Sequence, residues 1–546
     1  MDVLLIVLGA IWLIGTWVRV FKQARFFQIE EYKNGRYVRW WMSKAERFAP
    51  RRPFIATFIG AVMAFFLSEA PDSPLPHILA IIAGIAAVIP PDEGEIKKRF
   101  NPTSRAKRLV GGAFFVSAVE LGVLSWLIAE VDLSDPALQA IALSAAGLLT
   151  FLTAPLALVG GNLLMYPVEA GLRQRFIQSA KQVMTDIHPT VIGITGSYGK
   201  TTTKGFVTDI LNGRYKVYPT PKSYNTMMGV CIAINQDLKH DYSIDYFVVE
   251  MGAYIRGEIQ RICDLTPPQI SIVVEVGPQH LERFGSLENV AAAKYEIIKN
   301  LPPDGVGVFN WDNPHVREMY KRGYPKTRLA VSREVDLNHL PENPPRFVAT
   351  DVTESLEGLG FTVHDLETNQ SEMIFAPVLG VHNVTNILLA IAVGIHEGMT
   401  LKEIALRART LHPAESRLVK QVGAGGITII NDAYSANPAG VVSSLKVLGM
   451  HTNGRRLVVT PGMVELGDVQ AEENFKLGQI IPQYATDVIL VGAEQTKPIY
   501  EGILTTDFPP ENLQVVDELR EAMTWYQTHF KAGDTVLFLN DLPDTY

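Results

Sequence analysis

The chain reads as an α-helical membrane region followed by α/β structure, on three observations. Nearly all long apolar runs fall within residues 1–166, the remainder alternates short β-branched runs with helical patterns, and a glycine-rich phosphate-loop sequence near residue 196 joins a strand pattern to a helix pattern. At 546 residues the chain exceeds one core, and roughly 150 residues per domain implies three or four units. A net charge of -8, with no basic domain outside the loops flanking the apolar runs, argues against a nucleic-acid partner. The two cysteines, Cys231 and Cys263, supply neither a disulfide framework nor a four-thiolate zinc site and fit a reducing compartment.

Apolar segments run from Val3 to Val20, Pro53 to Leu67, Leu75 to Pro90, Leu109 to Ala129 and Ala137 to Tyr166. The first, fourth and fifth reach the roughly 20 residues needed to cross a bilayer, and the shorter second and third suit a tight hairpin. Residues 19–53 contain ten Lys or Arg and 91–108 contain six, whereas the alternate loops, Glu69 to Leu75 and Glu130 to Pro136, carry acids and no Lys or Arg. Five crossings with basic loops inside put the N-terminus outside. They make the chain a multi-pass protein of the inner (cytoplasmic) membrane, with everything after Tyr166 in the cytoplasm. A cleaved signal peptide is the rival reading of the first segment, but no basic region precedes it and no small-residue cleavage site follows. Glu120 lies within the fourth segment, where an ionisable group is either functional or a bundle-facing structural acid. Pro155 is expected to kink the fifth.

The sequence Gly193-Ile-Thr-Gly-Ser-Tyr-Gly-Lys-Thr-Thr-Thr203 follows the strand-like Thr190, Val191 and Ile192 and opens a helix pattern. Gly196 and Gly199 permit a tight turn whose N–H groups converge on phosphate, Lys200 reaches toward the β/γ-phosphates, and Thr201 offers a hydroxyl to magnesium. The general loop pattern has glycine where this chain has Ile194, so this is a variant of the loop. Downstream, Tyr246-Phe-Val-Val-Glu250 reads as a buried strand ending in a carboxylate, a second magnesium ligand by position. His280 follows the apolar run Ile270 to Val276 and is either an ordinary loop residue or a catalytic one. Lys294, in a helical pattern, reads by default as a solvated lysine.

Seven blocks in this order carry a resemblance: the phosphate loop, Glu250-Met-Gly, Gly277-Pro-Gln-His280-Leu, Ala293-Lys294-Tyr-Glu296, Leu379-Gly-Val-His382-Asn383-Val-Thr-Asn386, Arg417, and Asn431-Asp432-Ala-Tyr-Ser-Ala-Asn437-Pro438. Over Thr190 to Phe538 the chain resembles the Mur ligases, most nearly those that add D-alanyl-D-alanine to a UDP-muramoyl tripeptide. The resemblance implies a central phosphate-loop ATPase domain and a Rossmann-like C-terminal domain; the strand and helix patterns place them at 186–411 and 412–546, with a hinge at Thr410 to Ser416, after the transmembrane region (1–166) read from the apolar runs. It implies ATP and two Mg2+ ions as cofactors. Gly196, Ser197, Gly199, Lys200, Thr201 and Thr202 would hold the phosphates, and Thr201 and Glu250 the first metal. His280 would join a second metal site with Lys294, carbamylated and bridging. Asn225 would contact the phosphate and metal region and Asn386 the adenine. Arg417 and Asp432 would reach the nucleotide on domain closure, with Tyr434, Ser435 and Asn437 lining the same cleft. Lys200, His280 and Lys294 would be the catalytic set.

The implied reaction is attack of an acceptor carboxylate on the ATP γ-phosphate, formation of an acyl-phosphate, and its displacement by an amine. Three departures bear on the substrates: the family's UDP-sugar-binding N-terminal domain has no visible counterpart, Pro461 stands where similar ligases have Asp, and the C-terminal Lys-Gly-Ser segment is missing from Leu537 to Tyr546. The expected partners are an amino acid or dipeptide, a UDP- or lipid-linked cell-wall precursor, and the membrane. A membrane-linked poly-glutamate ligase and an ATP-driven transporter are the alternatives. Against the first stands the complete block around Asp432, and against the second stands Glu120 as the one clear ionisable residue in the long crossings.

Overall fold

The computed structural model describes residues 3–67, 73–90, 100–131, 133–222, 224–279, 281–434, 438–464 and 466–540. It divides into two compact units, Met1–Arg175 and Phe176–Pro543.

The first unit is helical. Its elements are α1 (Val3–Ile29), α2 (Asn34–Met42), α3 (Ala45–Phe48), α4 (Arg51–Phe66), α5 (Leu75–Val88), α6 (Ser104–Glu130), α7 (Pro136–Leu152) and the start of α8 (Ala154–Ile187). Among the described residues two helices, α1 and α6, are long and apolar enough to cross a membrane, or up to three if the bent pair α7 and α8 counts as one span. The five-crossing, multi-pass placement is thereby corrected, and the sidedness read from it falls with the count. The reason is length: at about 1.5 Å per residue, the 16 residues of α4 and the 14 of α5 rise only about 24 and 21 Å against a hydrocarbon core of about 30 Å. The expected fifth segment breaks at Thr153 and bends by 61°. Pro155 sits in the first turn of α8, where its missing N–H costs nothing. Thr153 Oγ1 lies 2.7 Å from Glu120 Oε1, so the acid of α6 meets the helix break and has a structural partner there.

The second unit is built on two sheets. The first has strands β1 (Thr190–Thr195), β2 (Val217–Pro219), β3 (Tyr246–Glu250), β4 (Ile270–Val273), β5 (Val306–Asn310), β6 (Thr327–Ser332), β7 (Phe347–Ser355), β8 (Gly358–Asp365) and β9 (Gln370–Ala376), in the order β2-β3-β1-β4-β5-β6-β7-β8-β9. Pairing is parallel from β2 through β7 and antiparallel for β7-β8-β9. Strands β1, β3, β4 and β5 are almost wholly buried, as parallel strands covered on both faces must be. On one face α9 (Lys200–Leu211) and α15 (His382–His396) join Phe206, Ile210, Ile387 and Ile391 to Ile192, Ile194 and Ile272. On the other, α13 (Leu287–Lys299) places Ile297 and Ile298 with Val191, Phe247 and Val249.

The second sheet has β10 (Val419–Val422), β11 (Thr428–Asp432), β12 (Arg456–Thr460), β13 (Asp487–Val491), β14 (Leu513–Val516) and β15 (Thr535–Leu539), in the order β10-β11-β15-β12-β13-β14. Four of these, β11, β12, β13 and β15, carry the short apolar runs visible in the residue order at Ile427 to Ile430, Arg456 to Thr460, Asp487 to Val491 and Thr535 to Leu539. The two edges, β10 and β14, lack a continuous apolar run, because an edge strand needs fewer buried side chains.

The core at α9 carries the phosphate loop. Phe206→Ala, at a fully buried position, should cost about 3–5 kcal/mol and lower the thermal unfolding midpoint of the full chain, whereas Val422→Ala at an exposed edge should leave it unchanged. An unshifted midpoint in the Phe206 variant would contradict this packing.

Candidate active site

The loop Gly196–Gly199 leaves the C-terminal end of β1 at the centre of the parallel sheet, with β3 on one side and β4 on the other. The chain's connections diverge there, which is where doubly wound sheets gather ligands. Register pairs Ile194 with Glu250 and Thr195 with Val273, so the three strand ends lie level. Past the strands the backbone continues the ladders, Met251 N–H donating to Ile194 O at 2.8 Å and Val274 N–H to Thr195 O at 2.9 Å. Ser197 ties the loop across: its N–H donates to Glu275 O at 2.7 Å, and its buried hydroxyl donates to Gly277 O and accepts from Gly277 N–H, both at 3.0 Å. The Ser197 hydroxyl is thus engaged with protein, leaving that residue's contribution to a ligand structural.

Gly199 has φ +77° and caps α9; a Cβ there would stand 2.8 Å from both Asn386 Oδ1 and Val274 Cγ1. Only glycine fits that backbone and that gap. Lys200 folds back over the loop, donating to Gly196 O at 2.7 Å and Ser197 O at 3.1 Å. Desolvation pulls its ammonium down to about 8, opposed by Glu250 and reinforced by Arg417. Thr202 and Gly199 face the cavity described below. The hydroxyl of Thr201, partly exposed, has no hydrogen bond among the described residues.

Glu250 is 1 % exposed. Its Oε1 accepts from Asn225 Nδ2 at 3.1 Å, and its Oε2 lies 3.1 Å from Lys204 Nζ yet has no hydrogen bond in line. Burial alone would push this carboxyl up, but the charges of Lys204 and Lys200, with the Asn225 hydrogen bond, hold it below the usual range. A buried, ionised carboxylate oxygen without a hydrogen bond and an uncommitted Thr201 hydroxyl are oxygen donors of the kind that suit a hard cation. Lys294 is 3 % exposed, which corrects its default reading as a solvated lysine: the face of α13 that carries it turns inward. Burial, together with Lys200, depresses its ammonium well below the usual value, against the pull of Glu296, Glu258 and Glu250. It has no hydrogen bond or ion pair among the described residues, and its Nζ stands 5.9 Å from the Phe284 ring centroid. His280, Ser435 and Asn437 lie outside the described residues. Among the described residues no group of three or more His, Cys, Asp or Glu is placed to hold a metal.

A cavity of about 320 Å³ opens beside the loop, and its wall includes Gly199, Thr202, Asn386, Arg417 and Asp432. Asn386 is fixed by Thr203 Oγ1 at 3.2 Å and by its own donation to Asn383 Oδ1 at 2.8 Å, which sets it directly against Gly199. The Arg417 guanidinium lies 4.2 Å from the Tyr434 ring centroid. The Asp432 carboxylate accepts from Leu418 N–H at 3.1 Å and Ser444 Oγ at 2.5 Å; burial nevertheless raises it, against Ser444, Arg417 and Leu418. Further wall residues, among them Glu275, Asp312 and Arg333, escaped the sequence reading of the site, while Tyr198 and His382 lie in blocks quoted above without a role of their own. One signal was present: Asn310-Trp-Asp312 follows the apolar run of β5 just as Glu250 ends that of β3. Arg333, past β6, has no such flag.

Two family models match this chain: the Mur ligase middle domain over residues 194–394 and the Mur ligase glutamate ligase domain over 417–540. The UDP-N-acetylmuramoyl-tripeptide–D-alanyl-D-alanine ligase of Bacillus subtilis (strain 168) is 29% identical over 362 residues, 66% of this chain and 75% of the relative. That of Mycobacterium leprae (strain TN) is 30% identical over 369 residues, 64% of this chain and 70% of the relative. Among solved structures, MurF from Acinetobacter baumannii aligns with a TM-score of 0.57 at 25% identity, covering 67% of this chain and 77% of that one. The fold is also shared with MurF ligase from Thermotoga maritima in complex with ADP, at a TM-score of 0.58, 23% identity, and 67% and 80% coverage. The chain belongs to the Mur ligase family of ATP-dependent amide ligases.

Proposed function

We propose that this ligase joins D-alanyl-D-alanine, or a related amino acid or dipeptide, to the carboxylate of a UDP-muramoyl tripeptide in cell-wall precursor synthesis. The observation that carries the reading is the meeting of the phosphate loop with Arg417 and Asp432 on one cavity, in a chain whose relatives bear that activity in their names. The loop N–H groups at the start of α9 would hold the ATP phosphates, and Lys200, now on Gly196 O and Ser197 O, would turn to meet them. Mg2+ bound with ATP supplies charge neutralisation on the transferring phosphoryl group. Thr201 and Glu250 would hold one ion, and Asn225 fixes the Glu250 carboxylate. Lys294 would take up CO2 as a carbamate, its proton passing to solvent: a buried lysine with a depressed ammonium presents the neutral amine that such a reaction needs, and the anion formed would serve with His280 as a ligand for a second ion. Asn386 contacts the base, and Arg417 and Asp432 close on the nucleotide from the C-terminal side. The acceptor carboxylate attacks the γ-phosphorus, ADP leaves, and the amine displaces phosphate from the acyl-phosphate.

The functional domains are 1–166, 186–411 and 412–546, and the helical region takes the place of the relatives' unmatched quarter. Large apolar side chains on the outer faces of α1 and α6, among them Ile14, Phe115 and Trp126, favour contact with lipid chains and support a second reading in which the acceptor is lipid-linked.

The test is ADP release by the detergent-solubilised full chain with UDP-muramoyl tripeptide and D-alanyl-D-alanine, with mass spectrometry of the product. A UDP-linked pentapeptide is expected; turnover only with a lipid extract would move the acceptor to the second reading, and ADP without a new amide would contradict both. Lys200→Ala should lower ADP release by about 10²–10³-fold, the scale of losing one preorganised donor at the transition state. Lys294→Ala should lose most activity and regain part of it with added short carboxylates; unchanged activity would remove Lys294 from the site.

A further inference from the structure

We propose that the groove between α4 and α5 binds one anionic lipid, its phosphate on Arg51 and Arg52 and an acyl chain along the groove. The inference rests on the helical unit alone and does not depend on the ligase reading. The groove encloses about 670 Å³, within the roughly 300–1,000 Å³ range of ligand sites. Its shape follows from side-chain size. Small residues bring the helices together, a Cβ at Gly60 standing only 2.3 Å from Ala83 Cβ, while Ile59, Met63 and Ile82 stand exposed to either side. Apart from Arg51 and Arg52, every described residue lining it is apolar.

Those two arginines differ from others in the same unit. Arg19 donates to Phe151 O and Arg47 O, Arg47 to Trp40 O, and Arg108 pairs with Glu169 at 2.6 Å. Arg51 and Arg52 are exposed and have no hydrogen bond or ion pair among the described residues. A neutral lipid would leave both guanidinium groups unused, and a small soluble anion would leave the apolar groove uncovered. An amphiphile with a phosphate headgroup satisfies both, since guanidinium groups bind phosphate oxygens in a planar, bidentate geometry.

The full chain in neutral detergent is offered micelles holding equal amounts of dioleoyl phosphatidylglycerol and dioleoyl phosphatidylcholine, and retained lipid is counted by native mass spectrometry. Phosphatidylglycerol should be retained at about one per chain and preferred by roughly tenfold or more, the scale of two basic side chains near an anionic headgroup. The Arg51→Gln/Arg52→Gln variant should fall to parity, Arg51→Lys/Arg52→Lys, which keeps the charge and loses the planar fork, should keep part of the preference, and Ala86→Phe, which fills the groove with both arginines intact, should lower retention. Equal retention of the two lipids by the unmodified chain, an unchanged preference in the double Gln variant, or full displacement by free glycerol phosphate would overturn the proposal.

Discussion

Glu250 is a charge that the fold cannot afford to leave alone. A buried carboxylate is costly unless paired, and here Lys204 from α9 and Asn225 from the segment before β3 converge on it. Lys204 is one helical turn beyond Lys200, so the helix that begins at the phosphate loop also delivers the counter-ion. The position of Glu250 opposite Ile194 fixes this carboxylate beside the start of the loop, and Ser197 fixes the loop to the strand end on its other flank. The phosphate site, the carboxylate and its counter-ions are therefore one packed junction, and displacing any one exposes an unpaired group in the others.

The same junction explains the lysines. Three lysine side chains, Lys200, Lys204 and Lys294, share a region in which, among the described residues, Glu250 is the buried acid that forms an ion pair, with Lys204. All three are pulled downward by burial. Buried lysines in excess of acids are matched by a ligand carrying several negative charges, which is what ATP brings.

Much of this was legible in residue order. The strand pattern before Gly196 and the apolar run closed by Glu250 located the central strands and their ligand-bearing ends, because parallel strands buried on both faces cannot avoid continuous apolar runs. The inward face of Lys294 was not legible, since a lysine in an amphipathic helix carries no mark of which neighbours cover it. Arg333 and His382 reach the cavity through the order in which strands pair, and pairing order is a property of the folded sheet. The helical unit misled for a different reason: α4 and α5, at 16 and 14 residues, were already visible as short apolar runs, but the alternation of basic and acidic loops around them counted them as crossings.

The most direct test of the account labels the acceptor carboxylate of the UDP-muramoyl tripeptide with oxygen-18 and follows the label during turnover with ATP and D-alanyl-D-alanine. If the junction drives ligation through an acyl-phosphate, one labelled oxygen passes to inorganic phosphate for each amide formed. Phosphate released without label, while the amide still forms, would contradict it.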